Sequence, residues 1–255
     1  GMAGAAFLSA CAAYTVGAGL VQIYTASENR LALQELLPEA IISCYDSYDD
    51  SQLSHLLDWA DVVCIGCGLG MGQISEKILK NVLKNVSCPC VIDADGLNLL
   101  SRNIELLNQC CAPVILTPHM KEMSRLTGWS IDTIMQDRFQ ALDQIIKQSG
   151  PDTKSSIICV LKDSRTVVAQ TNRQRFVNLA GNNSMAKGGS GDVLAGTIAG
   201  LLAQHMAPFE ATTVGVFLHA CGGDEAKKSK GSYSVLARDL IQGMADAMKN
   251  AKECR

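Results

Sequence analysis

Five short runs rich in β-branched residues, LVQIY (20–24), AIISCY (40–45), DVVCIG (61–66), CVID (90–93) and PVILT (113–117), alternate with helix-like segments through the first half of the chain. Such alternation predicts βαβ units and therefore a parallel sheet, because parallel neighbours need a crossover long enough to hold a helix. Residues 131–149 read as one amphipathic helix. After it SSIICVLK, RTVVAQ and RFVNL follow in quick succession with short polar links, as strands of a hairpin or sheet edge do. The last third reads as three helices, Gly191–His205, Phe209–Lys228 and Val235–Lys249, the first two apolar nearly all round and hence buried. The expected fold class is α/β with a mostly parallel central sheet, and the absence of any repeat or linker signal predicts one domain over 1–255.

The ends of the chain raise separate questions. The first 27 residues carry no charged side chain, but they lack a basic leader, and Ser9, Tyr14 and Thr15 interrupt the apolar run. They read as a buried helix rather than a signal or membrane span. A net charge of −3 gives no electrostatic reason for a nucleic-acid partner. Eleven cysteines include Cys64-x-x-Cys67, half of a zinc spacing, but no second half exists and the histidines are scattered. Thiols set in apolar strands, as Cys64, Cys90 and Cys159 are, act as small hydrophobes, and the odd count fits a reducing cytoplasm.

In an open parallel sheet ligands bind beyond the carboxyl ends of the strands, and the informative residues fall there. GCGLGMG (66–72), DADG (93–96), TPHMKE (117–122), KDSRT (162–166) and GNNSMAKGGSGD (181–192) each follow a predicted strand. Gly188, Gly189 and Gly191 permit close backbone approach, and Asp192 opens a helix whose free N–H groups favour an anion, phosphate above all. Asp192 acting only as a helix-start acid is the rival reading. Neither a Walker A loop nor a G-x-G-x-x-G fingerprint is spelled at Lys187 or Gly66, so phosphate binding would use another scaffold. For Asp93 and Asp95 the alternatives are a cation pair and a turn shaped by Asp95; for His119, a ligand contact and a helix cap; for Gly68, a ligand contact and a simple turn.

Taken in order, GCGLG, DADGLN, TPHMKEMSRLTG, VLKDSRT and GNNSMAKGGSGDVLAG resemble the ADP/ATP-dependent NAD(P)H-hydrate dehydratases of the ribokinase-like superfamily. The resemblance covers nearly the whole chain. It implies a ribokinase-like three-layer α/β/α sandwich, and conversion of (S)-NADHX or (S)-NADPHX to the reduced cofactor while ADP gives AMP and phosphate, or ATP gives ADP and phosphate. It implies Asp192 as base with Gly189, Ser190 and Gly191 as the catalytic cradle. Ala5, Gly68, His119 and Asp192 would contact the hydrated dinucleotide; Lys162, Asp163, Ser164, Arg165, Thr166 and Gly191 would contact the adenine nucleotide. Glu122 would organise Mg²⁺ through water. It further implies a cytoplasmic homo-oligomer, a tetramer among the options, fused to or paired with an NAD(P)HX epimerase, and an upstream strand and glycine loop ahead of Gly1. Departures from the family pattern fall at Cys67 (usually Pro), Lys121 (Gly), Asp163 (commonly Gly), Lys187 (a small residue) and Ser190 (Thr). The rivals are a ribokinase-like kinase of a small alcohol, such as hydroxyethylthiazole or a vitamin B6 alcohol, and a non-catalytic nucleotide-binding protein.

Overall fold

The computed structural model describes residues 2–148, 156–171 and 174–253. In chain order the elements are α1 (Ala3–Thr15), β1 (Gln22–Ala26), α2 (Arg30–Leu36), β2 (Ile41–Tyr45), α3 (Asp50–Trp59), β3 (Val63–Ile65), α4 (Gln73–Asn85), β4 (Cys90–Ile92), α5 (Ala94–Leu100) and β5 (Val114–Leu116). They continue with α6 (Met120–Thr127), α7 (Ile131–Gln136), α8 (Arg138–Gln148), β6 (Ile157–Leu161), β7 (Val167–Gln170), β8 (Arg175–Val177), α9 (Ser190–Ala203), α10 (Pro208–Ser234) and α11 (Ala237–Glu253).

Strands β3 to β8 form one sheet in sequence order; β3, β4, β5 and β6 run parallel, and β7 and β8 close the edge as antiparallel strands. Right-handed crossovers that always step the same way put their helices on a single face. One face of the sheet accordingly packs Ile92, Leu116, Cys159 and Leu161 against α3 to α8. The opposite face, carrying Val91, Ile115, Ile158, Val160 and Val168, is covered by α9 and α10 together with Val16 just past α1. Both faces being buried explains why these strands read as unbroken apolar runs. The three layers expected from the resemblance are present.

Two expectations need correction. The helix read over 131–149 is two helices. Asp137 is extended (φ −146°, ψ 93°) and its carboxylate accepts from the Gln140 N–H at 2.9 Å, starting α8 afresh. An Asp three residues before a Gln is a cap signal that outweighed the continuous apolar stripe. Second, β1 and β2 pair with each other in a separate parallel sheet instead of joining the main one. Among the described residues β1 pairs only with β2 and β3 only with β4, and the free edges of β1 and β3 line one cavity of about 800 Å³.

The uncharged first helix packs on α9 more than on the sheet. A Cβ on Gly196 would sit 2.0 Å from the Ser9 carbonyl oxygen, and one on Gly200 2.6 Å from that of Ala13, so only glycine permits this approach. No helix of the described residues is long and apolar enough to cross a membrane.

Candidate active site

The loops after β3, β4, β5 and β6 and the head of α9 converge at the carboxyl end of the main sheet. At their centre Lys162, just past β6, extends its ammonium 2.6 Å from Oδ1 of Asp93, just past β4. Asp93 is 1% exposed. Burial alone would push the Lys162 pKa down, but the adjoining Asp93 and Glu122 outweigh it and push it up, so the amine stays charged. Gly191 is a glycine because a Cβ there would lie 3.0 Å from that ammonium and 3.4 Å from Asp93 Oδ2. The space it leaves is a cradle in front of a fixed cation.

Gly189 caps α9 in the left-handed region (φ 91°), where Leu8 of α1 and Ala237 of α11 would collide with any side chain. Asp192 sits in the first turn of α9, its carboxylate within 4.8 Å of the Cys67 sulfur. It makes no capping hydrogen bond, and it stands as the acid of that first turn, as the helix-start reading also expects. Burial raises the Asp192 pKa, with Asp93 adding to it, against the opposing Cys67 hydrogen bond and Lys162 charge. The group is a stronger base than an exposed aspartate. Ligand atoms of Cys67, Asp93 and Asp192 all lie within 4.8 Å of one another.

His119 caps α6. Its Nδ1 accepts from the Glu122 N–H at 3.1 Å while Glu122 Oε2 accepts from the His119 N–H at 2.9 Å, a reciprocal box that holds the loop after β5. The cap reading of His119 holds, and a backbone bridge between His119 and Lys162 joins this loop to the end of β6. Burial pushes the Glu122 carboxyl up to about 7, and burial followed by the Lys162 charge pushes His119 down. Near pH 7 His119 is mostly neutral and Glu122 about half ionised, so hydrogen bonds join the pair more than a full ion pair does.

The remaining sequence-derived residues fall as follows. Gly68 is left-handed (φ 73°), and a Cβ there would meet the Met2 carbonyl and the Ala5 methyl, so Ala5 and Gly68 form one contact beside Cys67. In the stretch 162–166, the Asp163 carboxylate is 2.6 Å from Arg138 Nη2, which neutralises the charge that departs from the family pattern. Arg165 donates to the Leu179 carbonyl at 3.3 Å, Thr166 to the Asp163 carbonyl at 3.2 Å, and Ser164 is exposed. Lys162 stands apart from its four neighbours, turned to the buried Asp93. The Asp95 Oδ2 accepts from the Gly70 N–H at 2.8 Å and ties two site loops together. The large cavity beside β1 reaches Cys67 and Gly68, but its lining excludes Asp192, Lys162 and His119.

Sequence reasoning overlooked three contributors. Asp224 on α10 accepts from the Gly181 N–H and from Asn182, whose own oxygen accepts from Ser184, fixing the start of the glycine loop. His219, also on α10, places Nε2 3.3 Å from Ser190 Oγ. Cys67, read as half of a zinc spacing, instead serves Asp192. His219 is a lone polar residue in an apolar run of α10, whereas Asp224, beside Glu225 and Lys227, carried no distinguishing signal.

A family model described as NAD(P)H-hydrate dehydratase matches residues 1–245. The chain is 36% identical to the ADP-dependent (S)-NAD(P)H-hydrate dehydratase of Neisseria meningitidis, covering 98% of this chain and 82% of that one. It is 34% identical to the bifunctional NAD(P)H-hydrate repair enzyme Nnr of Moorella thermoacetica over 99% of its own length; the chain spans about half the length (48%) of that relative. Among solved structures, the ADP/ATP-dependent NAD(P)H-hydrate dehydratase of Bacillus subtilis, co-crystallised with ATP/Mg²⁺ and soaked with CoA, superposes with a TM-score of 0.80 at 28% identity, over 98% of this chain and 87% of that one. With the sheet, the glycine cradle and these matches in agreement, the chain belongs to the NAD(P)H-hydrate dehydratase family, on a ribokinase-like fold.

Proposed function

We propose that the chain repairs hydrated nicotinamide cofactor, dehydrating (S)-NAD(P)HX at the expense of ADP or ATP. The observation that carries this reading is the half-buried base Asp192 in the first turn of α9, beside an open glycine cradle that faces the Lys162 ammonium. Asp192 takes the proton of the ring hydroxyl as that oxygen attacks the terminal phosphorus and AMP (from ADP) or ADP (from ATP) departs with the electron pair of the broken P–O bond. The free N–H groups at the head of α9 and the Lys162 charge stabilise the negative charge on the transferring group. Phosphate then leaves with the C–O electron pair, an adjacent ring C–H gives up its proton, and the ring double bond returns. Ala5, Gly68 and His119 border the nicotinamide side, and the loop 163–166 borders the nucleotide. Gly189, Ser190 and Gly191 supply the cradle.

Magnesium fits the carboxylate oxygens of Glu122, Asp93 and Asp192 better than it fits the Cys67 sulfur, since it prefers oxygen and keeps water and phosphate in its shell. Glu122 and Asp93 would hold it, and it would supply charge neutralisation for the phosphates. The same reading makes the protein a cytoplasmic homo-oligomer working as one domain over 1–255, in line with the ten cysteines that are all free thiols among the described residues. It also makes an epimerase a working partner, supported by the bifunctional name of the M. thermoacetica relative.

The test is formation of AMP or ADP in step with NADH from purified NADHX. Nucleotide turnover stimulated by a small alcohol and not by NADHX would instead favour a kinase.

A further inference from the structure

Ser190 opens α9 between the two cradle glycines, and what lies behind it is a histidine from another helix. His219 is only 8% exposed, and its Nε2 lies 3.3 Å from Ser190 Oγ. We propose that His219 is a positioning residue for the anion cradle, directing the Ser190 hydroxyl proton toward the phosphate; this rests on the nucleotide-dependent reading above.

Burial holds the His219 pKa down to about 4, against an interaction with the Ser190 backbone that favours protonation, and the Lys162 charge lowers it further. The ring is neutral through the working range and carries a single N–H. If Nε2 is bare, it accepts the Ser190 hydroxyl proton and leaves oxygen lone pairs facing the cradle, which repel an anion. If Nε2 carries the proton, it donates to Ser190 Oγ, and the hydroxyl proton is free to donate forward. This second tautomer is the proposed one: it frees the hydroxyl proton while the buried ring keeps Nε2 3.3 Å from Ser190 Oγ. Burial also fixes the ring's place. Ser190 thus joins the N–H groups of α9 as a hydroxyl donor of set direction, and His219 acts through it without touching the ligand.

The experiment is a double-mutant cycle on His219→Leu and Ser190→Ala, read by calorimetric binding of ADP with Mg²⁺ and by kcat/KM for NADHX, with melting temperatures recorded for each variant. A hydrogen bond to a charged group leads us to expect about a tenfold loss in each single variant. The double variant should lose no more than Ser190→Ala alone, and His219→Gln, which can still donate, should recover most of the binding. Losses that multiply, or a folded His219→Leu protein with unchanged binding, would overturn the proposal. Should His219→Leu fail to fold, the ring ¹⁵N spectrum of the wild-type protein decides: Nε2 protonated, with its signal moving in Ser190→Ala, supports the proposal, and a proton on Nδ1 sinks it. A wild-type protein that binds ADP but leaves NADHX unchanged would overturn the repair reading alone, with the coupling between positions 190 and 219 still deciding this one. A wild-type protein that does not bind ADP would overturn both.

Discussion

The two ends of α9 solve opposite problems. At its head, Gly189 and Gly191 keep side chains out of the way so that a cation, two carboxylates and free N–H groups face a common space. From Val193 to Leu202 every residue is buried, and Gly196 and Gly200 keep side chains out of the way so that α1 can lie against backbone. Glycine serves chemistry in the first case and packing in the second. The same residue type along one helix therefore cannot be assigned a role by identity; what a Cβ would strike tells them apart. At Gly191 it would meet a lysine ammonium, and at Gly196 a carbonyl oxygen.

This contrast can be broken by substitution. Asp192→Asn should lower kcat by about a thousandfold or more, on the order of 4 kcal/mol of barrier, while the melting temperature moves little. A large loss of stability there would make Asp192 a packing residue and erase the distinction. Lys162→Met should cost both functions at once. It leaves Asp93 buried without its partner, which destabilises by about 3–5 kcal/mol, and removes the cradle's cation. Chemical denaturation beside activity would show whether the two losses coincide. Gly196→Ala should do the reverse of Asp192→Asn: a stability loss of about 3 kcal/mol from the clash with Ser9, with kcat preserved in whatever fraction remains folded.

The smallest effect concerns pH. Glu122 has its folded pKa raised to about 7, so the stability it confers is fully present below its unfolded pKa and is lost as pH rises through 7. Between pH 6 and 8 that loss amounts to about 1 kcal/mol. Glu122→Gln should flatten the fall in melting temperature over this range in the ligand-free protein, and an unchanged slope would contradict the burial of its charge.

Much of the main sheet was legible because a strand buried on both faces is apolar throughout, and CVID, PVILT and SSIICVLK are. The loops were legible because chemistry collects after such strands. What was not legible was distance. The Asp93 to Lys162 pair spans 69 residues, and nothing local distinguishes Asp93 from Asp95, which turned out to brace a loop. Pattern also could not show that β1 and β2 would stand apart, since strand pairing depends on which edges meet. The break at Asp137 was visible in principle as a cap but was overridden by the apolar stripe around it.

The most direct test of the account is the recovery of reduced-nicotinamide absorbance when the purified protein meets NADHX and Mg²⁺, with ADP, ATP or no nucleotide, alongside Asp192→Asn. The account predicts recovery that requires one of the nucleotides and vanishes in the variant. Recovery without nucleotide, or in full with Asn at position 192, would contradict it.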